Sequence, residues 1–521
     1  ETACKVTGKH VLSCEENADF DFLPFLSLSS GNLPFLRRKS RNGFTTKTIP
    51  MTQPSFIELC KKLIGSDHVI TDHAKMLPFV TDYRKRFTGK ALAVVFPGHT
   101  QQVADIVKLC RLHKVPIVPQ SGNTGLVLGS VPDESGKAIV LSLKRMNRIR
   151  EIDAHNNTMT VEAGCILDNV HSAAAEANLM FPLTLASSGS CMIGGNLGAN
   201  AGGTSVLRYG TARDLCLGLE VVTAEGDVWN GLYKLRKNNT GYDLRDLFIG
   251  SEGTLGIITA AVLKLFPRPK AQQTAFAAVK SPEDALKLLS LAQRFCGDSL
   301  TAFELVSRYS LELVTLHFPE ILSPLPFTYP WYVLLELSDA ESDDHAARQF
   351  EKLLEYAIGE DVISDAAVAQ TLSQSRTMWR LRENISAAQA REGKNVKHDI
   401  AVPTSLFAEF IETADCLLQQ HFPGCRMVTF GHLGDGSLHY NVAAPKGVSD
   451  ESFLSRQAEI NRIVYDCVRQ FKGVISAEHG LGALKHVENA SYKSGAENSL
   501  MKTLKRALDP DNLMNPGKVL P

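Results

Sequence analysis

GHLGDGSLHYN, residues 431–441, lies between two β-favouring runs at 427–430 and 440–442. Asp435-Gly436 is a dipeptide that closes a two-residue type I′ hairpin, because both residues tolerate the positive φ such a turn demands. That turn pairs Gly434 with Ser437, Leu433 with Leu438 and His432 with His439. Paired residues share one face, with Cβ atoms about 5 Å apart. Asn441, two residues on, points the same way. Two imidazoles so placed can share a metal ion, and Glu478-His479 in SAEHGLG offers a carboxylate to the same ion. Two His and one Glu leave an open coordination position, as catalytic zinc sites do. The hairpin alone fits equally well two half-buried histidines that bind nothing.

The chain has 521 residues, more than one core usually supports, so two or three domains are expected. A formal net charge of −1 argues against nucleic acid or anionic membrane as the main partner. Eleven scattered cysteines with no CxxC read as reduced, buried thiols rather than a disulfide framework. No apolar run reaches the roughly 18 residues of a membrane-spanning helix. Residues 1–50 contain LRRKSRNG at 36–43 but also Glu15, Glu16, Asp19 and Asp21, acids unlike a mitochondrial transit peptide. They are expected to form a poorly ordered extension, with Met51 an older start.

The first globular block is expected over 51–267, its core at about 88–267. A short strand at 91–96 leads to Thr100 as helix N-cap, and Val103, Ile106, Val107 and Cys110 recur at helical spacing. A second strand, 117–119, opens onto Gln120-Ser121-Gly122-Asn123-Thr124-Gly125. A strand followed by a glycine-rich loop lets backbone N–H groups converge on phosphate oxygens. The loop lacks the Lys-Ser/Thr of a P-loop, and the chain has no GxGxxG, which argues against a nicotinamide-type site. Further glycine clusters are ASSGSCMIGGNLGANAGG (186–203) and GSEGTLG (250–256), the latter leading into a strand at 257–265. Each alone suits an ordinary turn, but together they point to a large phosphate-bearing cofactor approached closely by bare backbone.

PQSGNTG, GSCMIGGNLGANAGG, LRYG (207–210), LRKNNTGYDLRDLFIGSEGTLGIIT (235–259) and NPGK (515–518) resemble the vanillyl-alcohol-oxidase-type FAD-binding flavoproteins. With GHLGDGSLH and SAEHGLG, the resemblance narrows to the branch holding D-2-hydroxyglutarate and D-lactate dehydrogenases. It covers about residues 80–521. It implies an α+β fold with a two-part FAD-binding domain and an antiparallel-sheet substrate (cap) domain at 271–445. A helical C-terminal segment, 446–521, would return to the flavin. By position, Ser121, Gly122, Asn123, Thr124 and Gly125 would hold the pyrophosphate, and Pro182, Ser190, Gly194, Gly195 and Asn196 would line the flavin. Glu252, Gly253, Thr254, Ile257, Ile258 and Asn515 would hold the rest. No histidine stands at 120–125, so FAD binding would be noncovalent. Ser121 and Leu128 stand where relatives usually have Gly, Ala199 where they have Thr, and Ser437 where they have Asn.

Within 271–430, helices are expected at 345–357 and 371–391, an irregular loop at 319–330 and strands at 331–337 and 396–402. Arg382 and Ser386 share a face of the 371–391 helix, and Lys397 follows on the 396–402 strand. Arg suits a carboxylate through its forked donors, Lys through its point charge. By spacing alone these are solvated surface cations; the resemblance implies that Arg382, Ser386, Lys397, Asn441 and His479 contact substrate. Residues 451–471 read as one amphipathic helix, and Asp509-Pro510 and Asn515-Pro516 break the tail into turns.

These readings predict FAD- and metal-dependent oxidation of a D-2-hydroxy acid, with D-2-hydroxyglutarate ahead of D-lactate. His432, His439 and Glu478 would hold a divalent ion (zinc first, manganese or iron also suited), and His479 would act as general base. Two rivals are a metal-dependent hydrolase and a noncatalytic flavin-binding protein. The acceptor of the flavin's electrons would be an electron-transfer flavoprotein or a quinone. A homodimer is one possible assembly, and bacterial cytoplasm and mitochondrial matrix both suit the chain. The metal ligands and glycine clusters occupy different blocks, which predicts separable metal and flavin sites.

Overall fold

The computed structural model describes residues 53–521, and the expectation for 1–50 lies outside them. The helix Thr100–His113 buries Val103, Ala104, Ile106, Val107 and Cys110, the stripe that its spacing demanded. Its N-cap is His99, whose ring accepts the Gln102 N–H, while the Thr100 hydroxyl donates to the buried Glu220 carboxylate. Beside this helix lies a sheet ordered Val69–Ile70, Ala93–Val95, Ile139–Ser142 and Ile117–Gln120, parallel among its last three strands. An antiparallel five-stranded sheet follows, with Gly256–Lys264 at its centre between Thr158–Glu162 and Cys216–Thr223. One apolar core, including Val95, Leu141, Val161 and Leu263, is shared by both sheets.

The second half of the chain builds an eight-stranded antiparallel sheet. Its order begins Asp365–Val368, Ala271–Val279, Trp331–Asp339, Leu300–Ser307, Arg426–His432 and Ser437–Ala443. Helices Pro282–Cys296, Asp343–Gly359, Phe407–His421 and Gln457–Gln470 cover one face through Leu288, Phe350, Phe410 and Val464. On the other face, Leu311, Met378, Leu381 and Ile385 pack against Phe276, Val306 and Phe430. The fold is α+β, as the resemblance implies.

Three elements differ from their sequence reading. The 371–391 helix is two, Leu372–Glu383 and Ile385–Glu392, meeting at Asn384, whose side chain caps back onto the Arg380 carbonyl. Asn and Asp compete for backbone groups in this way and favour helix ends. The 451–471 helix breaks at Ser455 and Arg456 into Asp450–Leu454 and Gln457–Gln470. The 396–402 strand is likewise two short pieces, Asn395–Val396 and Asp399–Ala401, with Lys397 in the gap.

After Leu508 the chain returns to the first sheet. The Ile117 N–H donates to Leu513 O, and the Asn515 N–H donates to Ile117 O, both at 2.8 Å. This places the C-terminal segment beside the strand that carries the first glycine loop. Nine described cysteines are unpaired, and all but Cys416 are buried. Among the described residues, no helix is long and apolar enough to cross a membrane.

Candidate active site

The hairpin that carries the histidines pairs Phe430 with His439, not His432 with His439. Strands Arg426–His432 and Ser437–Ala443 leave four loop residues, 433–436, of which only Gly436 has a positive φ (82°). The loop is therefore not the expected type I′ turn, which requires positive φ at both central residues. The register is displaced by two residues, one full side-chain period, so His432 and His439 still share a face. Their rings lie diagonally, 6.2 Å between centroids.

Glu478 meets both from a loop between Gln457–Gln470 and His486–Tyr492. Its two oxygens lie 3.5 Å from His432 Nε2 and 3.6 Å from His439 Nε2. One ligand atom from each of the three residues falls within 4.8 Å of the others. Burial favours neutral His439, pushing it down to about 4, the form that donates a lone pair to a metal. Burial also opposes charge on His432, but the Glu304 and Glu478 carboxylates outweigh it and raise the imidazolium well above its usual range.

Sequence reading missed two acids that organise this cluster. Glu304, fully buried on Leu300–Ser307, takes His432 Nδ1 at 2.5 Å and the Arg382 Nε–H at 2.8 Å. Asp399 accepts the backbone N–H groups of Glu478 and His479, and its Oδ2 lies 3.2 Å from His479 Nδ1. In each case the available signal was one acid in an otherwise apolar strand, TAFELVS and DIAV. Such an acid is buried only with a partner.

Among the substrate candidates, Arg382 is buried, its guanidinium 4.7 Å from the centre of the Phe430 ring. Ser386 is exposed on the following helix, beyond the Asn384 break. Asn441 is buried beside the cluster, donating to Gln389 and accepting from the His398 N–H. Lys397 has no ion-pair partner among the described residues. Burial, then the nearby charges of Arg84 and Arg86, push its ammonium down to about 8. Those two arginines project from a turn that Asp82 closes by accepting the N–H groups of Arg84, Arg86 and Phe87.

The three glycine clusters meet in the first half of the chain. A Cβ on Gly122 would stand 2.3 Å from Ser190 O, and one on Gly194 would stand 2.7 Å from the Ala163 Cβ, so bare backbone is required there. At Gly125 and Gly198, by contrast, a Cβ would meet no atom within 4 Å. Asn196 Nδ2 and Asn515 Oδ1 are buried without hydrogen-bond partners among the described residues. Open glycine backbone plus orphaned polar atoms fits a polar, phosphate-bearing cofactor. Pro182, Thr254, Ile257 and Ile258 are buried around this region, Ser190 is exposed, and Ser121 and Thr124 are half-buried. Asn123 has its side chain engaged by Thr81 O and Ser130, which leaves its backbone for a ligand. Leu128 adopts a φ of 62°, a left-handed backbone that favours glycine and costs an L-residue about 1–2 kcal/mol. Glu252 and Asn515 are turned to other segments of the chain: the Glu252 carboxylate accepts the N–H groups of Leu481 and Gly482, and Asn515 Nδ2 donates to Gly129 O and Glu252 O. The histidine–carboxylate cluster and the second glycine cluster also touch, since the Gly203 N–H points at Glu478 Oε1 from 3.4 Å, so the two are not separate as their places in the sequence suggest.

Residues 91–231 match the FAD binding domain family, and residues 268–519 match the C-terminal domain of FAD-linked oxidases. A D-2-hydroxyglutarate dehydrogenase from Xanthomonas citri pv. viticola is 36% identical, over 90% of this chain and 97% of its own. A mitochondrial D-2-hydroxyglutarate dehydrogenase from Arabidopsis thaliana is 36% identical, over 88% of this chain and 80% of its own. The fold is similar to that of p-cresol methylhydroxylase, with a TM-score of 0.72 at 18% identity over 89% of this chain and 96% of that one. With both halves of the architecture matched and more than a third of the residues shared along most of each relative, the chain belongs to the FAD-linked oxidase family, alongside the D-2-hydroxyglutarate dehydrogenases.

Proposed function

We propose that the chain oxidises a D-2-hydroxy acid, D-2-hydroxyglutarate before D-lactate, to the 2-oxo acid. Its main support is the convergence of His432, His439 and Glu478 next to the His479–Asp399 pair, against the glycine cluster of the FAD-binding half. When bound, FAD supplies the two-electron redox chemistry and a divalent ion supplies Lewis-acid polarisation of the substrate hydroxyl. His432, His439 and Glu478 would hold the ion; two imidazoles and a carboxylate suit zinc, manganese or iron. The glycine loops at 121–125, 189–196 and 250–256 would hold FAD.

His479 receives the hydroxyl proton. Asp399 lies against Nδ1 and so favours the tautomer with the proton there, leaving Nε2 as the acceptor. Arg382 uses Nε on Glu304, which fixes its plane and leaves the terminal nitrogens for a substrate carboxylate. Lys397, Arg84 and Arg86 add positive charge, with no acid in ion-pair contact with them among the described residues. A monocarboxylate on the metal has no use for this surplus, whereas a second carboxylate does. A hydrolase would leave the FAD-binding half idle, and a noncatalytic flavin protein would leave the His479–Asp399 pair without a task. Electrons would pass on to an electron-transfer flavoprotein or a quinone, in bacterial cytoplasm or mitochondrial matrix; the chain would act alone or as a homodimer.

The test is anaerobic mixing of the flavin-loaded protein with single hydroxy acids, followed by visible absorbance. D-2-hydroxyglutarate should bleach the flavin at lower concentration than D-lactate, and L-2-hydroxyglutarate should not bleach it. A flavin that stays oxidised with every 2-hydroxy acid overturns the proposal.

A further inference from the structure

The loop 476–482 carries Glu478 and His479 and is gripped from two sides. Asp399, from the eight-stranded sheet, takes the N–H groups of Glu478 and His479 and the Ser476 hydroxyl. Glu252, from the third glycine cluster, takes the Leu481 N–H at 2.7 Å and the Gly482 N–H at 2.9 Å. A Cβ on Gly480 would stand 2.7 Å from Glu252 Oε1, so the loop lies directly on this carboxylate. Glu252 is in turn fixed by its own backbone. Its N–H donates to Gly198 O at 2.8 Å, its C=O accepts Asn515 Nδ2 at 2.7 Å, and its φ is 52°. A non-glycine residue in the left-handed region persists only where its surroundings over-determine it.

We propose that Glu252 is a positioning residue, through which the flavin-binding loops set the geometry, and hence the affinity, of the metal site at His432, His439 and Glu478. The inference rests on that metal reading. Glu478 lies three and four residues from the two N–H groups that Glu252 holds, with the tight Gly480 turn between. A change in the glycine cluster therefore reaches the carboxylate ligand without crossing either domain core. Binding linkage is reciprocal, so flavin bound on the loops that hold Glu252 raises metal affinity and the metal raises flavin affinity by the same factor.

The experiment titrates zinc into flavin-loaded and flavin-stripped protein with a chromophoric chelator as competitor. Wild type should bind zinc at least about tenfold more tightly when flavin-loaded, the scale of outer contacts to metal ligands. Glu252→Gln keeps the shape but turns an amide N–H₂ toward a backbone N–H. It should weaken zinc binding by a similar factor and abolish the difference between the two forms. Gly480→Ala pushes on the same contact from the loop side and should do the same; it decides the question if Glu252→Gln does not fold. A wild type that binds no zinc in either form overturns the metal reading itself. Wild-type binding with equal affinity in both forms, or variants that lose thermal stability while keeping the wild-type zinc Kd, overturns the role of Glu252.

Discussion

Glu304 and His432 share a buried contact of 2.5 Å from Oε1 to Nδ1, which turns the opposite nitrogen of the ring toward Glu478. Burial alone would push the Glu304 carboxyl up; His432 and Arg382 reverse this and hold it at about 2. The acid is thus ionised throughout the working pH range and fixes the imidazole plane. Acids behind metal-bound histidines contribute about 10–100-fold to metal affinity. Glu304→Gln should weaken zinc binding by that factor in a chelator competition. An unchanged Kd would contradict this role.

Asp399→Asn should preserve the shape of the site while removing the charge that favours the Nδ1-protonated form of His479. Positioned general bases contribute about 10²–10⁴-fold to rate. Flavin reduction by D-2-hydroxyglutarate, followed in a stopped-flow instrument, should slow within that range while the flavin content stays constant. A variant that changed only KM would show that Asp399 serves binding alone.

Lys397 titrates within the accessible pH range, because burial and then Arg84 and Arg86 push its ammonium down to about 8. The group is charged below that value and neutral above it, so carboxylate binding is intact near pH 7 and weakens toward pH 9. KM for D-2-hydroxyglutarate should rise across this interval, and Lys397→Arg should flatten the rise because guanidinium keeps its charge. A wild-type KM that stays level from pH 7 to 9 would sink the assignment.

Arg382→Ala removes the proposed substrate contact and leaves Glu304 with His432 as its remaining partner in the cluster. Breaking a buried ion pair from one side typically costs about 3–5 kcal/mol. Thermal unfolding should shift down accordingly. KM should rise far more for D-2-hydroxyglutarate than for D-lactate, and equal losses for the two acids would contradict a dicarboxylate preference.

How much of this site was legible depended on which interactions were local. The His432–His439 pairing was misplaced by two residues, yet both histidines emerged on one face, because a shift by a full β period leaves sidedness unchanged. Glycine loops were visible because close backbone approach demands residues without a Cβ, as at Gly122 and Gly194. Asn384 was hidden inside a helical pattern, since nothing in the spacing says that its amide will cap Arg380 O and split the helix. Glu304 and Asp399 were passed over for a different reason. Their contacts span 128 residues to His432 and 80 to His479, distances over which no spacing rule operates.

The return of the tail to the first strand has a consequence for biosynthesis. Ile117 forms its outer hydrogen bonds with Leu513 and Asn515, roughly 400 residues further along the chain, so in synthesis they form only after the whole intervening stretch has been made. Pairing across such a separation is slow and follows the closure of everything between. Asn515 is also the residue that anchors Glu252 and Gly129. A chain cut short by a premature stop before residue 513 lacks this anchor, so a nascent or truncated product carries the histidines and glycine loops without the closure that joins them. Docking of residues 513–515 on Ile117 is in this sense a late step in assembling the site.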